Sequence, residues 1–320
     1  MEKVLKNVLF NSHIMNNRKA DKIALVGLDE RSLIYDYQFS NSTTKRFVQH
    51  SKVYNESFSP FKLIHFDYKG IEFNMITCPA GGKVDITNWG EQEIDEPFML
   101  GETEVTQELF EAVMGFNYSK FKKNNKNPVE NVTWFDCLEF CNRLSGYFDL
   151  SHCYMLSDKE FSDNDYYPLS IEKAMIELIE GANGFRLPKE WEWQIAAMAG
   201  TNNLYAGAND NKSLKRFAWF DENSDKKTHP VAQKLPNEWG FYDMSGNVWE
   251  WCESSDEPDE SSDEPGENDD PLANRVGRGG DSGDNAMNLP SQMNNPPNTR
   301  SDILGFRVAR SIHSPVLMGL

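Results

Sequence analysis

The sequence predicts an α+β domain with few helices, short strands and much irregular chain. Three observations carry that reading. Helical spacing of apolar residues stands out at three places, near 106–115, 133–145 and 188–200. The strand-like runs are short and closed by Gly, Asn, Asp or Ser. Beyond residue 200 the chain proceeds in brief segments between Gly, Asn, Asp and Pro, while eight Trp and twenty Phe supply large side chains to pack them.

In chain order, residues 1–63 differ from the rest. Ile23-Ala24-Leu25-Val26 is a short apolar run, and Ser32 to Phe39 reads as a strand closed by Ser, Asn and Thr. Val26-Gly27-Leu28-Asp29 lacks the further glycines of a nucleotide loop, so this part is expected to be a small extension or docking module. The main domain is expected over 64–320. Leu63–Tyr68 and Ile71–Met75 flank Lys69-Gly70 as a hairpin, and Phe98–Val105 reads as another strand. Thr106 caps a helix carrying Leu109, Phe110, Val113 and Met114, with Gly115 past its end. Thr133 and Asp136 have capping-box spacing before the stripe Trp134, Leu138 and Cys141. Pro188 opens a third helix with the stripe Trp191, Ile195 and Met198, and Gly200 stops it.

Composition narrows the function. A hydrophobic content of 39% over 320 residues supports a real core. The formal net charge of −18 excludes non-specific nucleic-acid binding and docking on anionic membranes. Much of the excess is local, because Glu253 to Asp270 holds ten carboxylates and no Lys or Arg. With its repeated Ser-Ser-Asp-Glu-Pro at 254–258 and 261–265, that stretch reads as a solvated, mobile insertion. No apolar run of about 18 residues occurs, so no membrane insertion is expected. The first residues lack the apolar region of a secretory signal, which points to the cytoplasm, or to the cell surface if a signal was removed upstream. Five cysteines favour free thiols, with Cys137 and Cys141 as small buried residues on one helix face.

Four punctuated blocks stand out: Gly184-Phe185-Arg186-Leu187-Pro188 running into Glu190-Trp191-Glu192-Trp193; Gly246-Asn247-Val248-Trp249-Glu250-Trp251; Arg278-Gly279-Gly280; and Gly305-Phe306-Arg307-Val308. Further pieces lie before and between them, including Glu102 to Gln107, Asn127 to Trp134, Cys141 to Ser145, Ala199-Gly200-Thr201 and Pro236 to Met244. Arg186 and Arg307 are expected to tie loops to carbonyls or buried acids through the guanidinium fork. Trp249 and Trp251, two apart, belong on one side of a strand. Over roughly 64–312 the pieces fall in the order of the formylglycine-generating-enzyme (sulfatase-modifying factor) family, which the chain resembles. The resemblance implies a C-type lectin-like fold.

It also implies a structural calcium ion at Asn247, the Val248 carbonyl and Glu250. The oxidases of this family hold copper on two cysteines between the Arg-Gly-Gly and Gly-Phe-Arg blocks. Here Asp281 to Leu304 contains neither Cys nor His, and Met287 and Met293 are weak substitutes for thiolates, so no copper is expected. Related enzymes carry iron on a His-x3-His-x-Glu set, a spacing the six histidines never approach. The expectation is therefore a non-catalytic binding protein for a protein or glycan ligand, similar to the variable proteins of diversity-generating retroelements. Its ligand surface is expected at Asp281, Ser282, Asp284, Asn285, Asn288, Ser291, Met293, Asn294, Asn295, Asn298, Thr299, Ser301 and Asp302, flanked by Trp249 and Trp251. Two alternatives stand beside it. One is a copper- or iron-dependent oxidase with relocated ligands such as Cys252; the other is a component of a larger assembly that docks a partner through 1–63.

Overall fold

The structure, a computed structural model, describes residues 63–78, 96–253 and 273–312 with their side chains, and outside them the backbone of five strands. Three of those strands come first: β1 (Lys22–Asp29), β2 (Ser32–Gln38) and β3 (Thr44–His50). They continue into β4 (Leu63–Tyr68) and β5 (Ile71–Cys78), with β3 meeting β4 at Gln49↔Ile64 and His50↔Leu63. A small ribbon of β6 (Lys83–Ile86) and β7 (Gly90–Glu93) precedes β8 (Phe98–Gly101). The strand expected over 98–105 thus ends at Gly101, where the chain turns to the backbone of Asn74 and Val308. The acidic repeat lies outside the described residues.

The turn between β4 and β5 is legible in its chemistry. Lys69 and Gly70 both take positive φ, 54° and 88°, as a two-residue turn matched to strand twist requires. Helix α1 (Gln107–Met114) starts where the Thr106 hydroxyl accepts from Leu109 N and ends at Gly115, φ 84°. Helix α2 (Trp134–Tyr147) has both halves of its capping box, Thr133 and Asp136 bonding each other's backbone. Its Trp134, Leu138 and Cys141 are buried as the spacing predicts. Around it Phe110 stacks on Phe140 at 5.6 Å, and Phe306 meets Phe140 edge-on at 5.2 Å.

A ribbon the sequence did not announce follows: β9 (Tyr154–Phe161) pairs with β10 (Ile171–Leu178). Its strands carry Glu, Asp and Lys among their apolar residues, and only Tyr154, Ile171 and Ala174 are buried, so period-two alternation is blurred. After β11 (Phe185–Arg186) comes α3 (Glu190–Met198), capped at Lys189 rather than opened at Pro188. It terminates through Ala199 at φ 49°, one residue before Gly200. Its expected apolar stripe is also corrected. Trp191 and Met198 are only partly buried, whereas Glu190, Glu192 and Trp193 are buried, because the two carboxylates meet arginines in the interior.

After the short α4 (Asn211–Leu214), the last strands are β12 (Trp249–Trp251), β13 (Arg275–Arg278), β14 (Gln292–Asn295), β15 (Leu304–Gly305) and β16 (Ala309–Ser311). The large sheet runs β1-β2-β3-β4-β5-β8-β16-β11, and a four-stranded sheet runs β14-β13-β12-β15, with β12 and β15 parallel. Glu253, grouped by charge with the acidic stretch, is instead buried after β12, where its carboxylate accepts the Tyr154 hydroxyl at 2.9 Å. Among the described residues no helix is long and apolar enough to cross a membrane.

Candidate functional site

The four blocks pair with one another in the interior. Arg186 grips Glu192 with two nitrogens at 2.6 Å each. Arg307 grips Glu250 the same way, and its remaining donors reach the Gly101 and Tyr242 carbonyls at 3.0 Å. Arg278 pairs with Glu190, and the Gln194 amide, with its oxygen turned to Arg278, accepts from Nη1 at 3.1 Å. All three pairs are buried; Arg307–Glu250 and Arg278–Glu190 join segments distant in sequence, and Arg186–Glu192 ties β11 to the start of α3. Bidentate pairs such as Arg186–Glu192 and Arg307–Glu250 specify geometry more than they add net stability. Two glycines allow the close approach: a Cβ at Gly246 would lie 2.1 Å from the Trp219 carbonyl, and one at Gly305 would lie 2.2 Å from that of Val129.

On this frame the segment Asp281–Asp302 divides by burial. Asn285, Asn288, Ser291, Asn294 and Asn298 are exposed, and Asp284, Met293, Asn295, Thr299, Ser301 and Asp302 are half-buried. Asp281 and Ser282 are buried, which corrects their place on the ligand surface. Asp281 accepts from the Trp249 indole at 3.0 Å, and burial, with the Asp284 carboxylate beside it, raises its pKa to about 6. Ser282 donates its N–H to the Asn247 carbonyl and accepts from the Ser224 hydroxyl. Trp249 and Trp251 are corrected likewise. Both sit on the inner strand β12 and belong to the core, and the Trp251 indole donates to the Val132 carbonyl. Neither flanks an open surface. The far end of the segment is fastened by Lys120 to Asp302 and by Arg300 to Glu172 at 2.7 Å.

Beside the segment opens a cavity of about 840 Å³ that sequence reasoning missed. Leu289 and Pro290 supply one wall; Trp193, Gln194, Ala197 and Met198 of α3 supply another. The remainder comes from Asn202 to Ala206, Asn209, Met244, Ser245 and Arg278. The only signal for it was the Asn-rich run Asn202-Asn203 to Asn209, which reads equally as a loop. Its single formal charge, Arg278, is neutralised by Glu190, so the lining is uncharged amide and hydroxyl groups among apolar walls. That lining suits a neutral polar ligand.

The side-chain oxygens expected to hold calcium are engaged by protein groups. Asn247 Oδ1 accepts from His229 N at 3.0 Å, and both Glu250 oxygens are held by Arg307. The orphaned oxygens lie nearby on other residues: Glu104 Oε1 and Asp243 Oδ1 are buried without a hydrogen-bond partner. Burial and mutual repulsion raise the pKa of Glu104, and burial above all raises that of Asp243 to about 6. Three carboxylates here share the guanidinium of Arg307, with Lys234 acting on Asp243 as well, and the raised pKa values of Glu104 and Asp243 favour their protonated forms. Among the described residues no three His, Cys, Asp or Glu side chains close into a metal cluster, so any cation would need backbone carbonyls as well.

The thiols are equally well placed. All five cysteines are buried and free. Burial raises the Cys252 pKa well above the ordinary range, and its Sγ lies 3.7 Å from the Glu250 carbonyl. A buried, protonated thiol is a poor nucleophile and a poor soft-metal ligand.

Comparison with known proteins extends these observations. Over 174 residues the chain is 40% identical to "Chaperone protein LppX" of Paenibacillus barcinonensis, covering 48% of this chain and 61% of that protein. It is 33% identical over 149 residues to "Inactive C-alpha-formylglycine-generating enzyme 2" of Mus musculus, covering 41% and 45%. The chain thus matches about half the length of these relatives. Among solved structures, "Treponema denticola variable protein 1" superimposes with a TM-score of 0.64 at 33% identity, over 77% of this chain and 98% of that one. The model of the "Sulfatase-modifying factor enzyme 1-like domain" matches residues 72–312. With its C-type lectin-like architecture and this match over most of its length, the chain belongs to the sulfatase-modifying factor family.

Proposed function

We propose that this chain is a non-catalytic binding protein whose ligand lies on the exposed part of Asp281–Asp302 and in the adjoining cavity. The observation that carries this reading is the division of polar groups. Those of the family blocks are engaged internally, while Asn285, Asn288, Ser291, Asn294 and Asn298 are exposed on a backbone fixed at both ends. Short side chains on a fixed backbone lose little entropy on binding. The relatives named as an inactive enzyme and as a variable protein support the same reading. The relative named as a chaperone supports a polypeptide ligand over a glycan. Asn-rich composition supports retroelement diversification of the segment; identical Asn codons across independent isolates would remove that part.

The experiment is a binding screen on peptide and glycan arrays, repeated with Asn288→Ala and Asn203→Ala. Loss of the signal in either variant with an unchanged melting temperature is expected. Tight one-to-one copper binding with oxygen consumption on a thiol peptide would overturn the reading in favour of an oxidase.

For the calcium that the family resemblance implies, the orphaned oxygens favour a changed ligand set: Glu104, Asp243 and the Val248 carbonyl, with Asn247 orienting Glu104 through its 3.1 Å bond. A hard dication bound there would favour the ionised forms of Glu104 and Asp243, which burial disfavours without it. Calcium is expected to raise the melting temperature of the metal-free protein, and Asp243→Asn to abolish the rise. An equal rise in that variant would sink the assignment.

A further inference from the structure

β14 is the outer strand of its sheet, pairing with β13 in an unbroken register from Arg275↔Asn295 to Arg278↔Gln292. The direction of its backbone groups follows from the strand behind it. Cys252 donates to the Val276 carbonyl at 2.8 Å, so Val276 and, two residues on, Arg278 turn their backbone groups toward β12. Arg275 and Gly277 consequently face β14, where they meet Asn295 and Met293. Gln292 and Asn294 are left with their N–H and C=O groups directed out of the sheet. Among the described residues no strand lies on that side.

Natural sheets blunt such an edge with lysine, proline, an inward charge or a bulge. β14 has none of these. Its sequence is Gln-Met-Asn-Asn, its register has no shift, and Pro290 and Pro296 lie outside it. The prolines limit the free edge to four residues without closing it. The exposed Gln292 and Asn294 side chains bond each other at 3.1 Å, a neutral amide pair beside the open backbone groups. Two residues upstream, Pro290 is already a wall of the cavity.

We propose that the free edge of β14 accepts an extended peptide as a fifth strand of the small sheet. The proposal rests on the binding surface assigned above and specifies its partner. Gln292 and Asn294 offer two N–H and two C=O groups to the peptide main chain, which is how strand addition supplies affinity without reading side chains. Alternate side chains of the peptide then select, and a peptide running past Gln292 reaches the cavity with its next residues. A second copy of this chain is the weaker occupant. A four-residue edge falls far short of the roughly 1,000 Å² of a stable interface, and chains of net charge −18 repel each other.

The test uses the full chain and a displayed library of random decapeptides. A selected peptide is resynthesised with each amide N-methylated in turn, and exchange of the protein's own amides is followed with and without it. Weakening of at least about tenfold is expected at the alternate peptide residues that face Gln292 and Asn294, with little effect at the residue between them. Exchange at Gln292 and Asn294 should slow by a similar factor, with Met293 and Asn295 unchanged because β13 already holds them. Asn294→Pro removes an outward N–H and leaves the β13 ladder intact, and it should lower affinity about tenfold.

Four results overturn the proposal. If peptides bind with no N-methyl periodicity and no protection at Gln292 and Asn294, the surface grips by side chains, and only the edge assignment falls. The same holds if no peptide is selected while a glycan binds in an Asn288-dependent way; if neither binds, both readings fall. If Asn294→Pro converts a dimer to a monomer and abolishes nothing else, the edge joins two copies.

Discussion

The buried arginine frame and the display segment are both built from polar residues, yet they use them in opposite ways. In the frame, Arg186, Arg278 and Arg307 each meet a carboxylate out of water, and most remaining donors find a carbonyl or an amide. In the segment, the side chains at the ends are tied, Asp281 to the Trp249 indole and Asp302 to Lys120, and β13 holds the backbone of β14, while Asn285, Asn288, Ser291, Asn294 and Asn298 between them are exposed. A substitution in the frame must leave a buried charge or donor stranded; one at an exposed position of the segment leaves its former partner open to water. The same scaffold can therefore hold one region rigid and leave the other open to change.

That contrast can be broken at several points. The largest effect is expected from Arg307→Ala, which leaves the fully buried Glu250 without its cation and should cost about 3–5 kcal/mol in urea unfolding. If the loss were under about 1 kcal/mol, the frame would not be what holds the sheets together. Next comes Gly246→Ala. It places a Cβ 2.1 Å from a backbone carbonyl at a φ of 84°, and a loss of about 2 kcal/mol or more is expected in the same assay. Asp281 supplies a pH signature. Its folded pKa of about 6 exceeds the unfolded value of about 3.9, so its contribution is fully present below about pH 4. Stability should fall as pH rises through 6, by about 1 kcal/mol, and Asp281→Asn should flatten that part of the profile. The smallest effect belongs to the open region: Ser291→Ala and Asn298→Ala should shift unfolding by less than about 0.5 kcal/mol while altering ligand binding.

Much of the frame was legible beforehand. The hairpin at Lys69-Gly70, the caps at Thr106 and Thr133 and the fork-like use of Arg186 and Arg307 all follow from local chemistry that the chain carries in a few adjacent residues. The β9–β10 ribbon was not legible, because a half-exposed strand pair dilutes the alternation that reveals a strand. The stripe assigned to α3 failed for a related reason. Periodicity counts only apolar residues, whereas Glu190 is buried against the distant Arg278 and Glu192 against Arg186 of the preceding strand. Charge misled at Glu253, which belongs to the core by its bond to Tyr154 rather than to the acidic run that follows it.

What the sequence by itself determined is the family frame, since Gly, Trp, Arg and capping residues at set intervals constrain backbone and side chain locally. Which polar residues of Asp281–Asp302 face outward was decided only by the tertiary structure. Asp281 and Asn285 are alike in size, yet an indole from β12 reaches Asp281 in the interior while Asn285 stays exposed as the cap of a short 3-10 turn. The cavity, the orphaned oxygens of Glu104 and Asp243, and the open edge of β14 are likewise products of assembly. Each is defined by what neighbouring segments leave unfilled, and an unfilled space or an unpaired group has no signature in the order of residues.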